Sequence, residues 1–139
     1  MLTTRMTVRR LALAGSGLTF ASIALASLVA PETVARTYGL SANGVDGLSE
    51  IRAVFTGFWL ALAFAMLTAA RRPEHRLLGD VCGVMIGTQA LGRVLSFAID
   101  GRPSLPFLGA MIGELITAAL ILLPRFSTGV STPAPQARP

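Results

Sequence analysis

The chain has 139 residues, room for one domain, and its composition is 53% hydrophobic against 14% charged, which suits lipid rather than water as its solvent. The formal charge of +5 comes from arginine alone, with no lysine, and the arginines sit at the ends of apolar runs rather than along one basic stripe. Nucleic acid is therefore not an expected partner. A single cysteine, Cys82, and a single histidine, His75, exclude an internal disulfide and every multi-cysteine metal or redox motif, so no cofactor or metal is expected.

The first apolar run, Leu11 to Ala30, follows Arg5, Arg9 and Arg10 and is closed by Pro31. It has the roughly 20 residues a spanning helix needs. Ala24-Leu25-Ala26 behind a basic flank resembles a signal-peptide cleavage site, but the run exceeds a usual signal core, and Gly15, Gly17 and Ala21 read as packing positions. A retained helix is expected. Residues 31–47 read as an interfacial loop with turns at Tyr38-Gly39 and Asn43-Gly44, and Tyr38 suits the membrane–water boundary.

The second run opens near Ser49, the expected N-cap, with Glu50 and Arg52 in its first turn and apolar residues from Ala53 to Ala70. Phe58 and Trp59 fall deep enough to read as core, and the segment Arg71 to Arg76 ends the run. The third run goes from Leu77 to Ile99 and the fourth from Leu105 to Leu123, separated by an Asp100-Gly101-Arg102-Pro103 turn. These boundaries give spans at 11–30, 50–70, 77–99 and 105–123, a basic extension at 1–10 and a tail at 124–139. The tail, rich in Ser, Thr and Pro, is expected to be disordered.

Arginine placement gives the orientation. Arg5, Arg9, Arg10, Arg71, Arg72, Arg76, Arg125 and Arg138 fall on one side, and only Arg36 and Arg102 lie in the loops of the other. Positive residues accumulate in cytoplasmic loops. The expectation is an all-α integral membrane four-helix bundle with both termini cytoplasmic, in a bacterial inner membrane. Anionic headgroups would meet Arg71, Arg72 and Arg76, with His75 among them.

Helices in lipid associate where small residues let backbones approach. Gly57, Ala61, Ala65 and Ala69 repeat every four residues on the second run, Gly79, Gly83 and Gly87 do so on the third, and Gly109 pairs with Gly113 on the fourth. They predict packing within the bundle, with a homo-oligomer or a membrane partner as the other use of such stripes.

Polar residues share faces with them. On the third run Cys82, Ile86, Gln89, Arg93, Ser96 and Asp100 line up, and on the fourth Glu114 shares a face with Phe107, Met111, Thr117, Ala118 and Ile121. Glu50, seven residues before Gly57, is expected on the inward face of the second helix, with Arg52 rotated away. Asp80 is four residues after Arg76 and pairs most simply with it. Arg93 would lie roughly 9 Å, and Glu114 roughly 15 Å, below the membrane surface at 1.5 Å per residue. Unpaired charges there cost about 2.5–3.5 kcal/mol each. An ion-pair network joining Arg93 to Glu114, and to Glu50 or Asp100, is expected.

Three segments carry a family resemblance: Tyr38-Gly39 after Pro31-Glu32, the stretch Glu50-Ile51-Arg52-Ala53-Val54-Phe55-Thr56-Gly57, and Gly92-Arg93 through Ser96 to Asp100-Gly101-Arg102-Pro103, followed by Glu114. On these the chain resembles, from Leu11 to Leu123, a family of small bacterial membrane proteins catalogued as DUF4345. The resemblance implies four transmembrane helices and no particular activity.

The candidate polar cluster is thus Glu50, Arg52, Gln89, Arg93, Ser96, Asp100 and Glu114. The sequence favours a structural or accessory membrane protein whose helices these residues lock together, since charges buried in spans usually pair and four helices leave little room for a pathway. The alternative is a protein that binds or transports a small solute, an anion or protons through the same cluster. No nucleophile stands beside a base at readable spacing, so enzymatic activity is not expected.

Overall fold

The computed structural model describes residues 2–126, with side chains at 4–123. The described residues hold α1 (Leu2–Val29), α2 (Pro31–Thr37), α3 (Gly44–Ile51), a π-helical segment (Arg52–Phe58), α4 (Trp59–Arg71), α5 (Arg76–Asp100) and α6 (Leu105–Phe126), with no strand among them. Helix α3, the π segment and α4 run without a break, so four helices are long and apolar enough to cross a membrane: Thr4–Val29, Gly44–Arg71, Arg76–Asp100 and Leu105–Leu123. The spanning helices follow one another around the bundle in the order α1, α4, α5, α6, and α1 also reaches α5 across it through Arg9. Leu18, Phe64, Leu91 and Leu123 are among many large apolar side chains left outside, each at least 60% exposed, as a lipid solvent allows.

Several element ends differ from the sequence reading. Residues of the basic extension form the opening turns of α1, because Arg9 and Arg10 find partners on other helices. The second spanning helix starts at Gly44 behind Asn43, not at Ser49, and Asn43 supplies no side-chain cap. Pro124, Arg125 and Phe126 continue α6 rather than starting a tail. The expected disorder of the tail beyond them lies outside the described residues.

The loop expected at 31–47 contains α2, and its end is built by the chain's own turn chemistry. Pro31 opens it at a position where its missing N–H costs nothing. Gly39 takes φ +71°, the Leu40 N–H donates to the Ala35 carbonyl at 2.8 Å, and the Gly39 N–H donates to the Arg36 carbonyl at 3.0 Å. This is the left-handed glycine stop that satisfies a helix's last carbonyls. It fixes Tyr38 at the end of α2, tilted over the π segment, with its ring 5.0 Å from Phe55 and 5.8 Å from Trp59.

Small residues make the contacts expected of the third run. A Cβ on Gly83 would fall 2.8 Å from Ile121 and 2.9 Å from Leu122, and one on Gly87 would be 3.5 Å from Ala118, so α5 lies directly on α6. Gly17 likewise lets α1 approach Ala63 and Leu67 on α4. Gly109 and Gly113, expected to pack, have nothing within 4 Å of a built Cβ. Gly57 and Ala61 are exposed as well. The cause on the second helix is the π segment: each of its turns carries about one more residue than an α turn, which shifts the phase. Ile51, Phe55 and Trp59 consequently face inward, while Gly57 and Phe58 face out, Phe58 being 50% exposed rather than core.

Candidate functional site

Among the described residues two ion pairs join helices, and they differ in surroundings. At the end of the bundle where α1 begins, an Arg9 Nη atom lies 2.9 Å from an Asp80 carboxylate oxygen, with the two side chains only 8% and 9% exposed. Arg9 also donates to the Arg76 carbonyl at 2.9 Å, and Arg10 donates to the Ala70 carbonyl at 2.9 Å, serving one of the orphan carbonyls at the end of α4. The expected Asp80–Arg76 pair is thus replaced by one with Arg9; Gly79, against whose missing side chain the Arg9 guanidinium lies, makes the space. The sequence places Arg9 in the basic flank that sets the orientation. Its position one helical turn before Leu13, a fully buried residue on the same face, was the available signal.

The second pair lies toward the opposite end. Arg93 Nε donates to both Glu114 carboxylate oxygens, at 3.2 and 3.0 Å, and Gln89 Nε2 donates to Glu114 Oε1 at 2.8 Å. The guanidinium stands 5.8 Å from the centre of the Phe107 ring, within cation–π range. These side chains are 25% (Arg93) and 14% (Glu114) exposed. The terminal amino groups of Arg93 and the amide oxygen of Gln89 make no hydrogen bond among the described residues.

Gln89, Arg93 and Glu114 are the members of the predicted cluster that the fold brings together. Ser96 donates to Asp100 at 2.8 Å one turn further along α5, but both are exposed and neither reaches Arg93. Glu50 and Arg52 are exposed and form no ion pair among the described residues. The inward position expected for Glu50 fails together with that of Gly57, from which it was counted: the π segment, which contains Gly57, shifts the phase against α4 and leaves both outside.

Beside the Arg93–Glu114 pair is a cavity of about 450 Å³. Its lips are α1, through Gly15, Ser16 and Thr19, and α6, through Ala110, Gly113 and Thr117; α5 supplies Ile86, Gln89 and Arg93. Phe20, Tyr38 and Trp59 wall one part of it with aromatic surface, Phe20 meeting Trp59 edge to face at 5.4 Å. Gly15 and Gly113 are exposed, and a Cβ on either meets nothing within 4 Å, so the lips stand open sideways. The volume falls within the roughly 300–1,000 Å³ typical of small-molecule sites, and an apolar lining with a few convergent polar groups is their usual chemistry.

Tyr38, which the sequence suits to the membrane–water boundary, lines this cavity and packs 5.8 Å from Phe107 as well. Burial raises its phenol above the ordinary value of 10.0; of the two charges facing it, Arg93 lowers it and Glu114 raises it. The hydroxyl is therefore protonated at neutral pH, and it makes no hydrogen bond among the described residues. Cys82 is a free cysteine and is fully buried. No group of three or more metal-ligating side chains occurs among the described residues.

A bundle of four helices able to cross a membrane, with one closed ion pair and one lining a cavity, defines an all-α membrane-protein class. The chain belongs to the family described as domain of unknown function (DUF4345), whose profile matches residues 8–124. No curated protein and no solved structure matches it.

Proposed function

We propose that this protein is a non-enzymatic binding protein for a small molecule dissolved in the membrane, held in the cleft between α1 and α6. The observation that carries this reading is the contrast between the two ion pairs. Arg9 and Asp80 are closed off and tie α1 to α5, whereas Arg93, Gln89 and Glu114 line a 450 Å³ cavity with hydrogen-bonding capacity unused. A purely structural lock has no need of open donors. The structural or accessory reading retains one support, since the Arg93–Glu114 pair also ties α5 to α6.

The arginine asymmetry supports cytoplasmic termini in a bacterial inner membrane, and the lateral opening supports access from the bilayer rather than from either aqueous side. Transport is not required by this geometry. The test uses the sole tryptophan, Trp59, which lines the cavity. The full chain in nanodiscs should show saturable, Trp59-sensitised emission from the uncharged dye Nile red. Gly113→Leu, whose Cβ meets nothing within 4 Å and whose longer side chain occupies the open lip, should weaken it at least about tenfold, about 1.4 kcal/mol. An unchanged signal in that variant removes the cleft from consideration.

A further inference from the structure

Resting on the cleft reading, we propose that the cleft takes an uncharged single-chain amphiphile with a hydroxyl or carbonyl end, seats that end on Arg93, Gln89 and Tyr38, and discriminates against the anionic amphiphile of the same chain. The argument begins with charge. Arg93 alone would be an anion site, but its Nε is committed to both oxygens of Glu114, so the polar floor carries no net charge. An anion brought to the remaining amino groups of Arg93 would approach the Glu114 carboxylate across the width of one guanidinium. In surroundings this apolar that repulsion is poorly screened. A cation meets the converse obstacle at Arg93.

An uncharged oxygen meets neither obstacle. The Arg93 amino groups donate, the Gln89 amide oxygen accepts, and the protonated Tyr38 hydroxyl does either; none of these is used by the described residues. Together they suit a hydroxyl, which gives one hydrogen bond and takes up to two, and a carbonyl, which takes two. The rest of the ligand is specified by the walls. From the polar floor the cavity continues past Ile86 and Leu120 to Leu11, an apolar trough, while Phe20 and Trp59 cover the part near the head. The open lips at Gly15 and Gly113 face the side of the bundle, where a chain can slide in from the acyl region without crossing the headgroups.

The experiment measures saturable binding of tritiated dodecanol, dodecanoate and dodecyltrimethylammonium to the full chain in phosphatidylcholine nanodiscs at neutral pH, with empty discs subtracted. Dodecanol should bind at least tenfold more tightly than either charged probe. Glu114→Gln keeps an acceptor for Arg93 and Gln89 but frees the positive charge; it should raise dodecanoate affinity at least tenfold and reverse the preference. Wild-type protein that binds dodecanoate as tightly as dodecanol overturns the proposal without any variant having to fold. Nile red binding lost in Gly113→Leu, with no saturable dodecanol binding, overturns the ligand class and leaves the cleft reading standing. Absence of both signals overturns both.

Discussion

Removing the acid from each ion pair in turn should cost the protein unequal amounts of stability. In Asp80→Ala the Arg9 guanidinium, 8% exposed and walled by Leu13 at the Gly79 gap, keeps among the described residues only the Arg76 carbonyl. Breaking a buried pair from one side costs about 3–5 kcal/mol. The retained carbonyl bond places this case near the lower figure. In Glu114→Ala the side chain of Arg93 starts 25% exposed and sits two turns from the end of α5, so it can leave Phe107 and extend toward the interface. The loss is then that of a charge-assisted hydrogen bond, about 1.5 kcal/mol. The difference of about 1.5 kcal/mol is roughly tenfold in the unfolding equilibrium. Reversible unfolding in mixed micelles of increasing dodecyl sulfate content, followed by helical circular dichroism, measures both. A Glu114→Ala cost equal to or above that of Asp80→Ala would refute the distinction between a closing pair and a cavity-lining pair.

Gly83→Ala places a methyl within 3 Å of Ile121 and Leu122 and should cost about 1–3 kcal/mol in the same titration. Gly113→Ala meets nothing and should gain about 0.5–1 kcal/mol from helix propensity; a loss there would show that the lip is packed. Gly39→Ala, forced to φ +71°, should cost about 1–2 kcal/mol and shift Trp59 emission, because the glycine stop holds Tyr38 against Trp59. Tyr38, the one tyrosine, should ionise above 10.0, visible as late growth of phenolate absorbance on alkaline titration. With the folded value raised, its contribution to stability is complete below the unfolded value of about 10 and is lost as pH rises through the folded one. Ionisation at or below 10 would mean the ring is solvated.

The helix pattern was legible because it rests on long apolar runs and on turn residues with one conformational purpose, such as Gly39 and Gly101. The Arg93–Glu114 contact was legible too, since both residues lie on single uninterrupted α-helices where face and depth follow from counting. Counting failed across Arg52–Phe58, where the π turns changed the phase and turned Glu50 outward. Nothing in Arg-Ala-Val-Phe-Thr-Gly-Phe announces such a turn. Its effect is to place Phe55 and Trp59 on one face with Tyr38 and Phe20 around them. Arg9 was misassigned for a related reason: a basic residue at the end of a span reads as topology, and only the gap at Gly79 shows it to be part of the interior.

Glycine does opposite things on the two sides of this bundle, and the cleft depends on both. Gly79 and Gly83 bring α5 against Arg9 on one side and against Ile121 and Leu122 on the other, so α5 is held by its neighbours through contacts no larger residue would permit. Gly15 and Gly113 hold nothing; their lack of side chains leaves the space between α1 and α6 unfilled beside Arg93 and Glu114. Small residues in membrane helices ordinarily serve close approach. A pair of them facing open space at the mouth of a cavity, while others of the same type clamp α5, the helix that carries Gln89 and Arg93, is the arrangement expected where a site must keep its polar groups fixed and its entrance wide.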